Sequence, residues 1–380
     1  MRTVPPASRV RALRRRLLEH YDRHRRDLPW RRETDPYRIW VSEVILQQTR
    51  VETAIPFYRR WMERFPTLEA LAGADREEVM AAWSGLGYYR RARHLHEAAR
   101  VVRDRSGGDL PSEARDLRSL PGVGPYTAGA VASIAFGRRE PAVDGNARRV
   151  LSRLFDLDRT SAAEIEGLAR VLVPSDRPGD FNQALMELGA TVCRPRAPEC
   201  ALCPVEALCL ARRCGTVRRR PSTRRPERVP VFEVGTAVLS SGEGRLLLAR
   251  RPEEGLLGGT WEFPGAVAGS RESPAAAARR AAASWLGRDP GASSPGAACM
   301  ILPHAFSHRR HIYHVFRFLP VGEAEVDLRR AGRRAATGTG RDGLPAWTAA
   351  AWVGPRAADR RALPAAQRAI LLSLLAEDLA

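Results

Sequence analysis

Four cysteines crowd into residues 193 to 209: Cys193, Cys200, Cys203 and Cys209, spaced C-x6-C-x2-C-x5-C. In a chain without a signal-peptide pattern, such a cluster points to metal binding rather than disulfides. Thiolates so spaced suit zinc or an iron–sulfur cluster, and ligand chemistry alone leaves both open. Upstream, LPGVGPY at residues 120 to 126 places Gly122 and Gly124 around Val123, a turn expected to be too tight for side chains. Such a hairpin can press backbone N–H groups onto a phosphate, positioning DNA without reading its sequence. Asp144 stands just before a helical run, where an N-cap carboxylate is kept ionised by N–H donors and can stabilise a cation. A second carboxylate, Glu43, lies among Trp40, Val44 and Leu46 in WVSEVILQQT. Helical spacing alone would put it on a solvated stripe.

Helices must carry most of these groups. Asp35 and Pro36 read as N-cap and first residue of a helix with Ile39, Trp40, Val44 and Ile45 at helical spacing. The arginine-rich residues 9 to 28 read as an earlier amphipathic helix rather than a targeting segment. After the hairpin, Tyr126 to Phe136 contains Thr127, Ala128, Gly129, Ala130, Ala132 and Ser133, small enough for another backbone to pack close. Residues 147 to 192 continue as helix. A second Gly-x-Gly turn, SGLGYYRRAR, carries Tyr88 and Tyr89 beside Arg90, Arg91 and Arg93; an exposed aromatic there suits a wedge in DNA, and Tyr89 is expected to pack inward. Eight arginines between 212 and 228, among prolines, mark a linker. Beyond it the pattern shifts to short β-rich runs, VFEVGTAVL and RLLLARR, then an alanine-rich helix near 274–287, HIYHVFRFL, and a closing strand and helix. Residues 328–346 read as a disordered insertion.

The chain has 380 residues and a net charge of +19, and its 62 basic residues are all arginine. The charge calls for a polyanionic partner. Without lysine, the usual amine for a Schiff base with an opened sugar is missing. No apolar run reaches the ~18 residues of a membrane span. The expectation is an intracellular, monomeric protein.

LPGVGPYTA followed by VDGN resembles the helix-hairpin-helix glycosylase superfamily, and together with WVSEVILQQT and the cysteine spacing it is similar to the adenine DNA glycosylase branch. That resemblance implies a multidomain chain: an all-α helix-hairpin-helix catalytic domain over 1–215 with an iron–sulfur loop at 193–209, a linker at 216–230, and an α+β nudix-like lesion-recognition domain over 231–380. It implies a [4Fe–4S] cluster on the four cysteines and a substrate of double-stranded DNA carrying adenine mispaired with 8-oxoguanine or guanine. It further implies a bacterial, cytoplasmic and nucleoid-associated enzyme. Glu43 would be the catalytic acid on adenine N7, and Asp144 would stabilise an oxocarbenium-like sugar. Tyr126, standing where strand-cutting members carry a lysine, would with Asn146 orient the two acids. Trp30, Arg31, Leu46, Gln183 and Glu187 would line the base pocket. Gln48 and Thr49 would enter the duplex, Tyr88 would wedge beside the lesion, and Gly122, Val123 and Gly124 would grip phosphate. Extrusion is required because a stacked base is out of reach of a protein carboxyl.

The second domain resembles a nudix fold without its chemistry. Anchoring the pattern G-x5-E-x7-R-E-x2-E-E-x-G on Gly287 puts Ala281, Ser284 and Trp285 where metal-binding acids belong, with Glu272 the sole acid between Gly265 and Gly287. Phe306, Ser307 and His308 resemble the family's loop that tells 8-oxoguanine from guanine. Two other readings stay open. An endonuclease III-like glycosylase would need the missing lysine, and a non-catalytic iron–sulfur DNA-binding protein would leave Glu43 exposed and far from Asp144.

Overall fold

The computed structural model describes residues 5–222, 228–290, 297–328 and 347–377. They form two compact units, Met1–Gly73 with His94–Arg225, and Ala74–Arg93 with Pro226–Ala380. The sequence division had placed residues 74–93 with the helical domain. Instead they pack with the C-terminal unit, because Arg76, Arg93 and Tyr89 find their partners there. Of the insertion expected at 328–346, residues 329–346 lie outside the described residues.

The first unit is all helix. Its main core joins Ala7–His24, Gly145–Leu154 and Pro178–Thr191 through Leu13, Leu17, Tyr21, Val150, Leu151, Phe181 and Leu188. The basic first helix thus packs on the body of the unit and ends at His24, short of the anticipated residue 28. Pro36–Leu46 begins as expected, with the Asp35 carboxylate accepting from Tyr37 N–H at 2.8 Å and Pro36 in the first turn. This helix lies against Pro125–Phe136 and is buried at every residue from Ile39 to Ile45.

Close approach fixes the segment leading to Asp144. A Cβ at Gly129 would come within 2.0 Å of the Pro141 carbonyl oxygen, so only glycine lets this backbone lie on the helix. Buried Asn182 locks the same segment: its amide accepts from Ala142 N–H at 3.1 Å and donates to Ser133 Oγ and the Glu140 carbonyl, both at 2.8 Å. A buried side-chain amide satisfied on both ends specifies one arrangement of two helices and a loop.

The second unit contains two sheets. One has the order β4-β1-β6-β5, formed by Val231–Val238 (β1), Gly265–Val267 (β4), Met300–Ala305 (β5) and Arg310–Arg317 (β6); β1 and β6 are parallel. The other has the order β3-β2-β7, from Leu246–Arg250 (β2), Trp261–Glu262 (β3) and Ala349–Val353 (β7). Period-two alternation sends Ala237 and Phe316 to the core under the alanine-rich Pro274–Leu286 helix, and Val238 and Val315 to a second core with Ile370, Leu371 and Leu374. Ala281 and Trp285 are buried in the first of these cores, and Glu272 pairs with Arg280 at 2.7 Å. The positions that a nudix hydrolase gives to magnesium are therefore taken up by packing and one ion pair.

Gly129→Ala should destabilise the first unit by about 1–3 kcal/mol through overpacking against Pro141. Urea denaturation measures this directly, and wild-type stability in the variant would mean the approach is looser than described.

Candidate active site

A cleft of about 860 Å³ in the first unit brings together Trp30, Arg31, Glu43, Leu46, Gln48, Thr49, Tyr126, Asp144, Asn146, Gln183 and Glu187. Glu43 is 6% exposed, which corrects the solvated stripe that helical spacing suggested. The cause is local: every residue of its helix from Ile39 to Ile45 is buried, leaving no wet face for a carboxylate. The Tyr126 hydroxyl donates to Glu43 Oε2 at 2.5 Å. Burial pushes the Glu43 carboxyl up from 4.5 to about 7, and nearby Asp144 pushes the same way, against the Tyr126 hydrogen bond and Arg31. Burial together with the two carboxylates raises the Tyr126 phenol well above its usual 10.0, so it stays a neutral donor.

Asp144 caps Gly145–Leu154 as its position suggested. Oδ1 accepts from Ala147 N–H at 2.7 Å, and Oδ2 from the Asn146 amide at 2.9 Å. Asn146 in turn accepts from Arg149 at 2.9 Å, and Arg149 also donates to the Gly189 and Cys193 carbonyls at 2.7 and 2.9 Å. The orientation of the second acid is thus tied to the start of the cysteine loop.

On another wall, Glu187 accepts from Arg26 at 2.8 and 2.9 Å and from Arg31 at 2.6 Å. Burial alone would raise Glu187, but the hydrogen bonds from Arg26 and Arg31 outweigh it and hold the carboxyl at about 2. The Trp30 ring, which lines the cleft, packs perpendicular to Tyr58 with centroids 5.5 Å apart.

At the hairpin, Gly122 has φ of +73°, and a Cβ there would meet His94 Cβ at 2.4 Å. Gly124 differs from the expected tight turn: its φ is −86° with nothing within 4 Å of a Cβ, so no contact inside the chain demands glycine. Gln48 holds a left-handed φ of +58°, rare for a side-chain-bearing residue. Just before it, Gln47 donates to Thr127 Oγ1 at 3.1 Å, and Thr49 N–H follows with a bond to the Leu46 carbonyl at 3.3 Å.

All four clustered cysteines are partly buried. Burial, with some help from the other three thiols, pushes the Cys203 thiol up to about 12. Among the described residues no three His, Cys, Asp or Glu side chains already stand in ion-holding geometry. The donor chemistry nonetheless fits a thiolate-held group. Buried Arg153 supplies positive charge, donating to Cys193 Sγ at 3.3 Å and to the Arg194 and Pro195 carbonyls at 2.7 and 3.0 Å. Sequence reasoning missed Arg149 and Arg153. Their i, i+4 spacing on the helix begun by Asp144 is the signal that would have found them.

In the second unit, Tyr88 is 49% exposed with φ of +47°, and Tyr89 is buried with its hydroxyl on the Leu363 carbonyl at 2.8 Å. Phe306, Ser307 and His308 form the turn between β5 and β6, closed by Phe306 N–H on the Arg309 carbonyl at 2.8 Å. Phe306 packs edge-on against His304 and His311, leaving Ser307 and His308 exposed.

Residues 41–175 match the HhH-GPD superfamily of base excision DNA repair proteins, and residues 235–373 match a NUDIX domain. The chain is 39% identical to the adenine DNA glycosylase of Homo sapiens, over 86% of this chain and 70% of that protein. The chain belongs to the adenine DNA glycosylase family. A family member from Mycolicibacterium smegmatis is 45% identical over 50% of this chain and 66% of its own. The fold of a thermostable thymine-DNA glycosylase is also similar, at 32% identity and a TM-score of 0.51, covering 55% of this chain and 98% of that one. This member of the family is therefore a base-excision-repair DNA glycosylase, and no described helix is long and apolar enough to cross a membrane.

The raised Glu43 has a thermodynamic signature. Between pH 4.5 and about 7 the folded glycosylase keeps a proton that the unfolded chain has released, so folding is increasingly opposed as pH rises. Glu43→Gln removes this penalty. In denaturant titrations its stability advantage should be near zero at pH 4 and grow to at most roughly 3 kcal/mol above pH 7. Parallel pH dependence in both proteins would mean Glu43 is not held protonated.

Proposed function

We propose that the enzyme removes adenine mispaired with 8-oxoguanine or guanine from duplex DNA, by hydrolysis alone and as a monomer. The observation that carries this reading is the buried Glu43, bonded to Tyr126 in the same cleft as the helix-capping Asp144. In its protonated form, which burial keeps accessible near neutrality, Glu43 would deliver its proton to N7 of an extruded adenine and weaken the glycosidic bond. Positive charge then develops on the sugar. Asp144, with both oxygens already fixed by Ala147 and Asn146, would face that charge and stabilise it or bond to it transiently. Glu43, now ionised, would take a proton from the attacking water. Tyr126 steadies its carboxyl throughout.

The base would lie among Trp30, Arg31, Leu46, Gln183 and Glu187, with the Glu187–Arg26–Arg31 cluster giving the wall fixed polarity. Gln48 and Thr49 would occupy the space left in the duplex, Tyr88 would wedge beside the lesion, and the Gly122–Gly124 backbone would hold phosphate. An open Gly124 accords with this role, since a backbone free of its own side chain can approach a phosphate closely. Exposed Ser307, with Phe306 and His308, would accept from the N7–H that distinguishes 8-oxoguanine from guanine. The absence of lysine from all 380 residues supports base removal without strand cutting by an amine. Cys193, Cys200, Cys203 and Cys209 would hold a [4Fe–4S] cluster, which when bound cross-links the loop beside Arg149 and Arg153. We place the enzyme on the nucleoid DNA of a bacterial cytoplasm.

Glu43→Gln should lower single-turnover adenine release at least ~10²-fold while leaving DNA affinity unchanged, and wild-type release should decline as pH rises through the Glu43 value. Near wild-type release by the variant would remove the acid from the mechanism. Elemental analysis of the purified protein should give about four irons per chain, as the cluster stoichiometry requires; zinc without iron would overturn the cluster.

A further inference from the structure

Residues 74–93 lie inside the stretch matched to the glycosylase superfamily, yet they pack as part of the second unit. Three anchors hold them. Glu253 accepts from Arg76 at 2.8 Å and pairs with Arg93 at 3.4 Å and Arg250 at 3.1 Å, while Arg93 also donates to the Gly258 carbonyl at 2.7 Å. Arg361 donates to Glu77 at 2.6 Å, and its guanidinium lies 4.7 Å above the Trp261 ring. The Leu363 carbonyl accepts from both Ser84 Oγ and the Tyr89 hydroxyl, each at 2.8 Å.

Ser84 and Tyr89 bracket the loop that presents Tyr88. Inside this bracket Gly85, Gly87 and Tyr88 are all left-handed, with φ of +96°, +70° and +47°. Trp83 Nε1 closes the turn on the Gly87 carbonyl at 3.0 Å, and the Arg91 guanidinium lies 5.1 Å from the Trp83 ring and 5.5 Å from that of Tyr88. A tyrosine kept left-handed and half-exposed has to be held there by its surroundings. Here both ends of the loop hang from one carbonyl oxygen of the second unit.

We propose that the second unit positions the Tyr88 loop, with Glu253 and Tyr89 as positioning residues, so that part of its contribution to excision does not depend on the base opposite adenine. The proposal rests on the reading of Tyr88 as a wedge. Ordering the loop beforehand spares the complex the entropy of fixing it when the duplex is unstacked. Ser307 would then confer selectivity among opposing bases, and the anchors would act on every mispair alike.

The full chain carrying Glu253→Gln, Tyr89→Phe or Tyr88→Ala, and the two doubles that include Tyr88→Ala, would be assayed on duplexes with adenine opposite 8-oxoguanine and opposite guanine. A 2-aminopurine beside the mispair reports unstacking. Tyr89→Phe keeps the buried ring, so the test survives a Glu253 variant that fails to fold. Each anchor variant should slow single-turnover release about three- to fivefold on both duplexes, reduce the fluorescence change on binding, and add nothing to Tyr88→Ala. Loss confined to the 8-oxoguanine duplex, losses that multiply with Tyr88→Ala, or unchanged rates would each overturn the positioning role. If Tyr88→Ala itself is silent, the wedge reading fails; if it is impaired while the anchors are silent, only the positioning fails.

Discussion

A carboxyl group largely withdrawn from water governs the catalytic unit. Glu43 is exposed by only 6%, and the Tyr126 hydroxyl donates a hydrogen bond to it. Holding a carboxylate there would be expensive, so the fold favours a proton on Glu43 near neutrality. The Pro36–Leu46 helix gives up its wet face for this, and Pro125–Phe136 brings in the phenol. The two carboxyl groups of the cleft have different surroundings: one is buried beside a phenol, the other sits at a helix terminus with two N–H donors.

Much of the remaining helical scaffold serves the position of Asp144. Gly129 lets the Pro141 backbone lie flat against a helix, Asn182 clamps the residues just before the aspartate, and Arg149 ties Asn146 to the loop of Cys193. The cysteine loop is thereby mechanically continuous with the second acid through Arg149 and Arg153 on one helix face. A thiolate-bound group there would stiffen the same contacts without touching substrate.

The parts of this architecture legible in the sequence were those with local causes. The caps at Asp35 and Asp144 need only a carboxylate before a helix, the change from 3.6 to two-residue periodicity marks where the β-rich unit begins, and four close cysteines announce themselves. Burial of Glu43 could not be read from spacing, because a helix surrounded on all sides has no polar stripe to betray its orientation. Asn182, Arg149 and Arg153 look like surface residues until their partners 40 to 44 residues away are in place. Gly124 looked conformationally constrained and is not, since adjacency to Gly122 does not transmit its left-handed geometry. Residues 74–93 follow the helical elements in the chain, whereas their ion pairs reach across about 160 to 280 positions.

The central claim is that a buried acid and a capping aspartate hydrolyse the glycosidic bond with no amine taking part. A single-turnover reaction on a duplex with one adenine opposite 8-oxoguanine, divided into samples with and without alkali, tests it most directly. Free adenine is expected in both samples, with strand breaks only after alkali. Breaks without alkali, or no adenine released at all, would contradict it.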